Sequence, residues 1–148
     1  MSISMNPASI KPSGSFSDAV VAAPHAVASP DAFKVALYGP DGVQLGWLGE
    51  NGSEWAVLVS DPNQALILES YPYGGVMYYR IRGTSRYMSV SNNAYVGFYN
   101  WIGARGWTRN GTRLISDYNH QAMSLYSKDN GYIYAWDQYT VLDVRFVG

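Results

Sequence analysis

The chain contains no cysteine and only two histidines among its 148 residues. The absence of cysteine excludes disulfide bridges, thiolate-ligated zinc and a cysteine nucleophile. Because most metal sites and many acid–base catalysts use imidazole, the scarcity of histidine also argues against a metalloenzyme or a Ser-His-Asp hydrolase. We therefore predict that the protein is not an enzyme, with no catalytic residues, no metal site and no cofactor.

Charged side chains are also scarce. They make up 14 % of the chain, and ten basic residues nearly balance eleven acidic ones, for a net charge of −1. This balance argues against a general nucleic-acid-binding protein or a polybasic membrane binder. No stretch approaches the roughly 18 consecutive apolar residues of a membrane-spanning helix. The sequence thus predicts neither a nucleic-acid partner nor a transmembrane segment.

The first 32 residues are rich in Ser, Ala and Pro and hold no Tyr or Trp. Because such a segment buries too little apolar surface to fold alone, we predict a flexible arm at 1–32 and a folded domain at 33–148. Residues 19–28 resemble the core and cleavage site of a secretory signal, but Pro24 and His25 interrupt them and only Lys11 precedes them as a positive charge. The sequence leaves two predictions for the compartment. The protein is either cytoplasmic, or it is released without a clear signal peptide and acts outside the cell.

From Phe33 onward, apolar residues alternate with a period of two, for example over 33–37, 77–81 and 142–146. This period is typical of half-buried antiparallel strands. Turns rich in Gly, Asn and Pro, such as 39–42 and 129–131, separate the alternating segments. The pattern predicts an all-β domain of about ten short strands and no long helix.

A sequence echo within the domain predicts a tandem duplication. The segment S-D-P-N-Q-A that begins at Ser60 returns at Ser116 as S-D-Y-N-H-Q-A, with His120 as the inserted residue. Two copies, at about 33–82 and 86–147, favour a pseudo-two-fold antiparallel β-sandwich or barrel. The strand-and-turn rhythm of residues 107–134 is also typical of a β-trefoil, which is the alternative fold.

Aromatic residues are abundant, with thirteen Tyr and five Trp. Where such rings stay exposed beside Asn, Asp or Arg side chains, they suit sugars, which offer a C–H face for stacking and hydroxyls for hydrogen bonding. We therefore predict a non-enzymatic, lectin-like protein whose partners are glycans or glycoconjugates. The alternative is that the repeated tryptophans are core residues and that the Ser-Asp-x-Asn segments are turns bonded to their own backbone. The candidate ligand-binding residues are Trp47, Asn51, Asp61, Asn63, Tyr99, Trp101, Arg105, Asp117, Asn119 and Trp136.

A second function is suggested by the uneven distribution of charge. Between Tyr71 and Ser116 all six charged residues are arginines, which could meet an anionic partner because guanidinium pairs bidentately with carboxylate, sulfate and phosphate. An assembly protein, such as a toxin component or a virion or filament subunit, would use Tyr and Arg surfaces and the arm to form a homo-oligomer or bind a membrane. The arginines are Arg80, Arg82, Arg86, Arg105, Arg109 and Arg113.

Overall fold

The computed structural model describes residues 32–148, which form thirteen β-strands and two 3₁₀ turns. The predicted all-β architecture is confirmed. The predicted arm at 1–32 lies outside the described residues except for Ala32, which begins the first strand. The strands are β1 (Ala32–Tyr38), β2 (Gln44–Glu50), β3 (Ala56–Val59), β4 (Leu68–Tyr73), β5 (Val76–Ile81), β6 (Tyr87–Val90), β7 (Val96–Tyr99), β8 (Trp107–Asn110), β9 (Arg113–Ser116), β10 (Met123–Leu125), β11 (Ile133–Ala135), β12 (Thr140–Val141) and β13 (Asp143–Val147), and the 3₁₀ turns are Pro62–Gln64 and Trp101–Gly103.

The larger of two sheets is antiparallel and curls into a half-barrel. β1 holds it together, since it pairs with β2 and β13 and, through its first two residues, with β4. β4 forms a ladder with β5, which continues to β6 and β8. A hydrogen bond links the two distant parts of the curled sheet. The backbone N–H of Val144 in β13 donates to the carbonyl oxygen of Thr112, the residue before β9, at 2.8 Å. The smaller sheet contains β10, β11 and β12.

The main core fills the inside of the curl. Alternate residues of β1 point inward, so Val35 and Leu37 are fully buried, together with Leu68 of β4 and Phe98 of β7. Ile133 of the smaller sheet belongs to the same cluster. Since each fully buried aliphatic or aromatic side chain contributes about 1.5–3 kcal/mol, this shared core is what joins the two sheets.

A second, aromatic cluster lies on the other face of β4, β5 and β6. In β5 the neighbours Tyr78 and Tyr79 face opposite sides of the sheet, so that Tyr79 joins the main core and Tyr78 joins Tyr71, Tyr87 and Trp101. Trp101 reaches this cluster from its 3₁₀ turn and leaves only 8 % of its surface exposed. Its ring centroid lies 5.0 Å from that of Tyr78 and 5.3 Å from that of Tyr87.

Three hairpins, β2–β3, β6–β7 and β10–β11, share one unusual backbone feature at their tips. The second residue before the returning strand has a positive φ in each: 72° at Glu54, 68° at Ala94 and 74° at Gly131. Only one of the three is glycine, although this region is unfavourable for residues with a Cβ. The conformation is held by bonds within each turn, such as Ala94 N to Ser91 O (3.0 Å), together with tertiary contacts of the tips.

Those contacts join the three hairpins in a ring. The carbonyl oxygen of each positive-φ residue accepts a hydrogen bond from a backbone N–H of the next hairpin. The bonds run from Phe98 N to Glu54 O (3.1 Å), from Ala135 N to Ala94 O (2.8 Å) and from Leu58 N to Gly131 O (2.7 Å). Each hairpin donates once and accepts once, so the ring closes and brings together chain segments that are far apart in sequence.

Within residues 32–148, no helix has the length and hydropathy that crossing a bilayer would require.

Candidate ligand-binding site

An aromatic residue follows each positive-φ position, and the ring of hairpins brings the three side chains together. They are Trp55, Tyr95 and Tyr132, and each is partly exposed. The ring centroid of Tyr95 lies 5.7 Å from that of Trp55 and 5.6 Å from that of Tyr132, both in edge-to-face arrangements. Together with Ser91, Asn92 and Asn93 they line a cleft of about 470 Å³, which we call the Trp55 cleft.

A second cleft lies on the other side of the β6–β7 tip. It has a volume of about 330 Å³ and is called the Trp136 cleft. Trp136 leaves 38 % of its surface exposed, whereas Tyr134 is buried and forms the base of the cleft with Tyr139, 5.0 Å away. The lining residues are Asn92, Asn93, Ala94, Tyr134, Trp136 and Tyr139.

Asn92 and Asn93 line both clefts. The side chain of Asn92 is held in place, because the Tyr118 hydroxyl donates a 3.1 Å hydrogen bond to its Oδ1. The guanidinium carbon of Arg105 lies 4.9 Å from the centre of the Tyr118 ring, which fixes that tyrosine in turn. With its oxygen engaged, Asn92 presents its amide N–H groups to a ligand, and the exposed Asn93 side chain offers a donor and an acceptor.

The turn that carries these amides is fixed by its own hydrogen bonds. The backbone N–H of Ala94 donates to the oxygen of Ser91 (3.0 Å), and the N–H of Tyr95 donates to the Ser91 hydroxyl (3.2 Å). A short polar side chain that bonds its own backbone is the usual way in which Ser closes a turn. The amides of Asn92 and Asn93 are thus presented on a rigid tip.

Neither cleft has a charged side chain among its lining residues. Burial, together with a hydrogen bond to Tyr95, raises the pKa of Tyr134 to about 12, so its hydroxyl stays neutral at physiological pH. In the described part of the chain, no three His, Asp or Glu side chains come close enough to hold a metal ion. The site therefore offers flat apolar surfaces with neutral hydrogen-bonding groups at the rim.

The residues predicted from sequence are spread over the domain, and only Trp136 lines one of the two clefts. Trp101 lies in the aromatic cluster, and Trp47 lies half-buried in β2. The ring of Tyr99 contacts that of Trp55 at 6.3 Å, and Arg105 acts on Asn92 through Tyr118.

The predicted Asn and Asp residues mostly bond their own turns. Asn51 Oδ1 accepts hydrogen bonds from the backbone N–H groups of Ser53 and Trp55 at 2.8 and 3.1 Å. Asp61 caps a 3₁₀ turn by accepting from Asn63 N (2.9 Å). Asn63 contributes its backbone N–H to that cap, and its side chain is exposed. Asn119 accepts from Gln121 N (3.1 Å) and donates to Ala135 O (2.9 Å), and Asp117 accepts from the Thr108 hydroxyl (2.6 Å).

Sequence reasoning missed the residues that line the Trp55 cleft. A signal for them exists in three aligned segments, L-G-E-N-G-S-E-W ending at Trp55, M-S-V-S-N-N-A-Y ending at Tyr95 and M-S-L-Y-S-K-D-N-G-Y ending at Tyr132. Each has an apolar start, a polar turn and a final aromatic residue. A search for a three-fold rather than a two-fold echo would have found them.

Three of the six central arginines pair with carboxylates of the chain, and two others contact aromatic rings. Arg80 and Arg82 pair with Glu69, Arg86 pairs with Glu50, and Arg105 lies over Tyr118. Arg109 lies over the Phe146 ring at 4.6 Å and donates to Val144 O at 2.6 Å. Arg113 lies exposed at the start of β9.

Comparison with known proteins finds no protein-family model and no curated protein that matches the chain.

Proposed function

We propose that this protein binds carbohydrate in the clefts beside the β6–β7 tip and thus acts as a lectin. The observation that supports this most directly is the Trp55 cleft, where three partly exposed aromatic rings lie beside two Asn side chains. Its volume, about 470 Å³, is within the range of small-molecule sites. Aromatic faces with a few fixed polar groups are the combination that a hydroxylated ring with an apolar face requires.

A bound sugar would stack its C–H face on one of these rings and direct its hydroxyls at the amides of Asn92 and Asn93. Both partners are held in advance, because Tyr118 orients Asn92 and the Ser91 turn fixes the backbone. Fewer side chains then lose freedom on binding, which leaves more of the interaction energy as affinity. The neutral lining fits an uncharged sugar better than a sialylated or sulfated one.

We also propose the β-trefoil as the finer description of the fold. Two features support it: the closed ring of hydrogen bonds among the three hairpins, and the equivalent positive φ at Glu54, Ala94 and Gly131. The echoed segments at 60–63 and 116–119 occupy different places, since the first follows the β2–β3 hairpin and the second precedes the β10–β11 hairpin. The three-fold contacts therefore favour the trefoil over a two-fold sandwich.

A glycan array tests the function. The full chain should bind a limited set of neutral glycans, and Asn93→Ala should weaken that binding about tenfold, because about 1.4 kcal/mol of hydrogen bonding is lost. Asn63→Ala is the matched control, since it removes an equally exposed amide from a turn outside both clefts.

Two outcomes would overturn the proposal. One is an array on which the folded protein binds nothing. The other is binding that Asn63→Ala and Asn93→Ala reduce equally, which would place the sugar elsewhere. Concentration-dependent self-association with a blank array, measured by sedimentation, would favour the alternative function in assembly.

A further inference from the structure

We infer that the two clefts are subsites of one extended site, which takes a linear, uncharged oligosaccharide lying across the Asn92–Asn93 tip. This inference rests on the proposed function and adds the class of ligand. It is carried by the continuity of the surface between the clefts.

The two clefts share a wall, and the aromatic rings at their bases contact one another. Asn92 and Asn93 line both, so one ligand that crosses the tip meets the same pair of amides on either side. The floor is a row of aromatic rings whose centroids are 5.7 Å apart from Trp55 to Tyr95, 4.6 Å from Tyr95 to Tyr134 and 5.0 Å from Tyr134 to Tyr139. The row runs from one cleft to the other through Tyr134, which leaves only 5 % of its surface exposed, so the surface that the two clefts share is that of Asn92 and Asn93.

The row also reaches the surface at its far end. Tyr139 contacts Tyr126 at a centroid distance of 5.0 Å, and Tyr126 leaves 62 % of its surface exposed. Trp136 is 38 % exposed on the same side of the tip. Rings that are at least partly exposed at the two ends of the row suit a chain of sugars, which continues past the site, better than a single terminal residue.

The lining chemistry selects the charge of the ligand. The amides, hydroxyls and rings that line the two clefts include no cation that would pair with a carboxylate or sulfate. A charged sugar would lose hydration in these clefts without a counter-ion in return. The ligand class is therefore a neutral oligosaccharide of two or more units.

Chain length gives a direct test. Linear gluco-oligosaccharides and N-acetylglucosamine oligomers, from monomer to hexamer, are titrated into the full chain by calorimetry. We expect affinity to rise about tenfold or more from the monosaccharide to the length that fills both clefts and then to level off, because a second linked unit adds contacts without a second rigid-body entropy loss.

The variant Trp136→Ala separates the subsites. It should remove most of the gain in affinity with length. Ile102→Ala is the control, because it truncates a comparably exposed side chain, 44 % against 38 %, away from the clefts. The control should keep both the affinity and its length dependence.

Three results would overturn the inference: equal affinities for all lengths in the natural chain, a uniform loss at every length in Trp136→Ala, or binding confined to charged glycans. In each of these cases sugar is still bound, so the proposed lectin function survives. Absence of binding to every probe together with a blank array would instead remove both.

Discussion

Gly46 shows how a single residue fixes the position of a strand. It lies in β2 between β1 and β3, and a Cβ at this position would collide with the backbone oxygen of Val59 and lie 3.0 Å from Leu58 Cδ1. Because one of the colliding atoms belongs to the backbone of β3, relief would require the strands to separate. Gly52, in the following turn, has no atom within 4 Å of the equivalent point.

Gly46→Ala is therefore expected to lower the free energy of unfolding by about 2 kcal/mol, as overpacking in a tight site does. Gly52→Ala should change it by less than about 0.5 kcal/mol, since the added methyl group meets only solvent. Urea unfolding curves of both variants and the natural chain measure the difference. Equal midpoints for the two variants would show that β2 and β3 can move apart freely.

Single residues also show where sequence reasoning ends. Gly131 belongs to a turn that its Asp-Asn-Gly sequence predicts, and its φ of 74° agrees with that. Glu54 and Ala94 adopt nearly the same φ, although neither residue type favours it. Bonds within their own turns and bonds to other hairpins both hold this conformation, and a local sequence pattern shows only the first of these.

At the scale of elements, an ion pair ties the second hairpin to the first. Arg86, just before β6, donates from both terminal nitrogens to the carboxylate of Glu50 at the end of β2, at 3.1 Å for one of the two bonds. The side chains are 28 % and 15 % exposed. The hydrogen bond to Glu50 raises the pKa of Arg86, which agrees with a stable bidentate pair.

A double-mutant cycle measures the coupling energy of the Glu50–Arg86 ion pair. Glu50→Gln and Arg86→Met should each destabilise the domain, and the coupling between them should be about 1–2 kcal/mol, because the pair is bidentate and partly shielded. The control pair is Arg82 with Glu69, at 3.7 Å and with Arg82 61 % exposed, where coupling should stay below about 0.5 kcal/mol. Equal coupling in the two pairs would mean that the hairpins do not depend on this contact.

The sequence predicted the individual strands better than their arrangement in space. The alternating segments 33–37 and 77–81 lie within β1 and β5, because period two reports directly on a strand with two different faces. The pattern does not say what covers the outer face of a curled sheet. Trp101 covers that face from its 3₁₀ turn, which Asn100 caps by accepting a hydrogen bond from Gly103 N (3.3 Å). The position of Trp101 depends on contacts with residues that are distant in sequence.

At the scale of the whole molecule, the candidate site exists only because the ring of hairpins closes. Trp55, Tyr95 and Tyr132 are about 40 residues apart from one to the next, and each of them alone resembles a core aromatic residue. Composition suggested a site of rings beside amides, and Trp136 lies beside Asn92 and Asn93 in one of the clefts. The other predicted amides and carboxylates serve turns, because short polar side chains satisfy nearby backbone groups first.

The fold also buries several tyrosine hydroxyls. Burial raises the pKa of Tyr71 to about 12 and that of Tyr134 to about 12, and it raises the pKa of Tyr78 and Tyr87 as well. The phenolate is disfavoured in the folded state, whereas an unfolded tyrosine ionises near pH 10. The stability that these groups contribute is therefore complete below about pH 10 and is lost as pH rises through about 12.

We expect the free energy of unfolding to be flat up to about pH 9 and then to fall by about 1.4 kcal/mol per pH unit for each buried tyrosine. Denaturant unfolding at a series of pH values, with tyrosinate absorbance recorded in parallel, measures both events. The part of the absorbance change that comes from the buried tyrosines should coincide with unfolding. Ionisation of all tyrosines near pH 10 in a protein that stays folded would contradict the expectation.

Tyr78→Phe sharpens the test. The Tyr78 hydroxyl is fully buried and has no hydrogen-bond partner among residues 32–148, so its removal should stabilise the domain by about 1 kcal/mol at neutral pH. The same change removes one buried ionisation and should make the decline above about pH 10 shallower. Tyr126→Phe, at a ring that is 62 % exposed, should alter neither quantity. A Tyr78→Phe variant that is less stable than the natural chain would show that this hydroxyl has a partner.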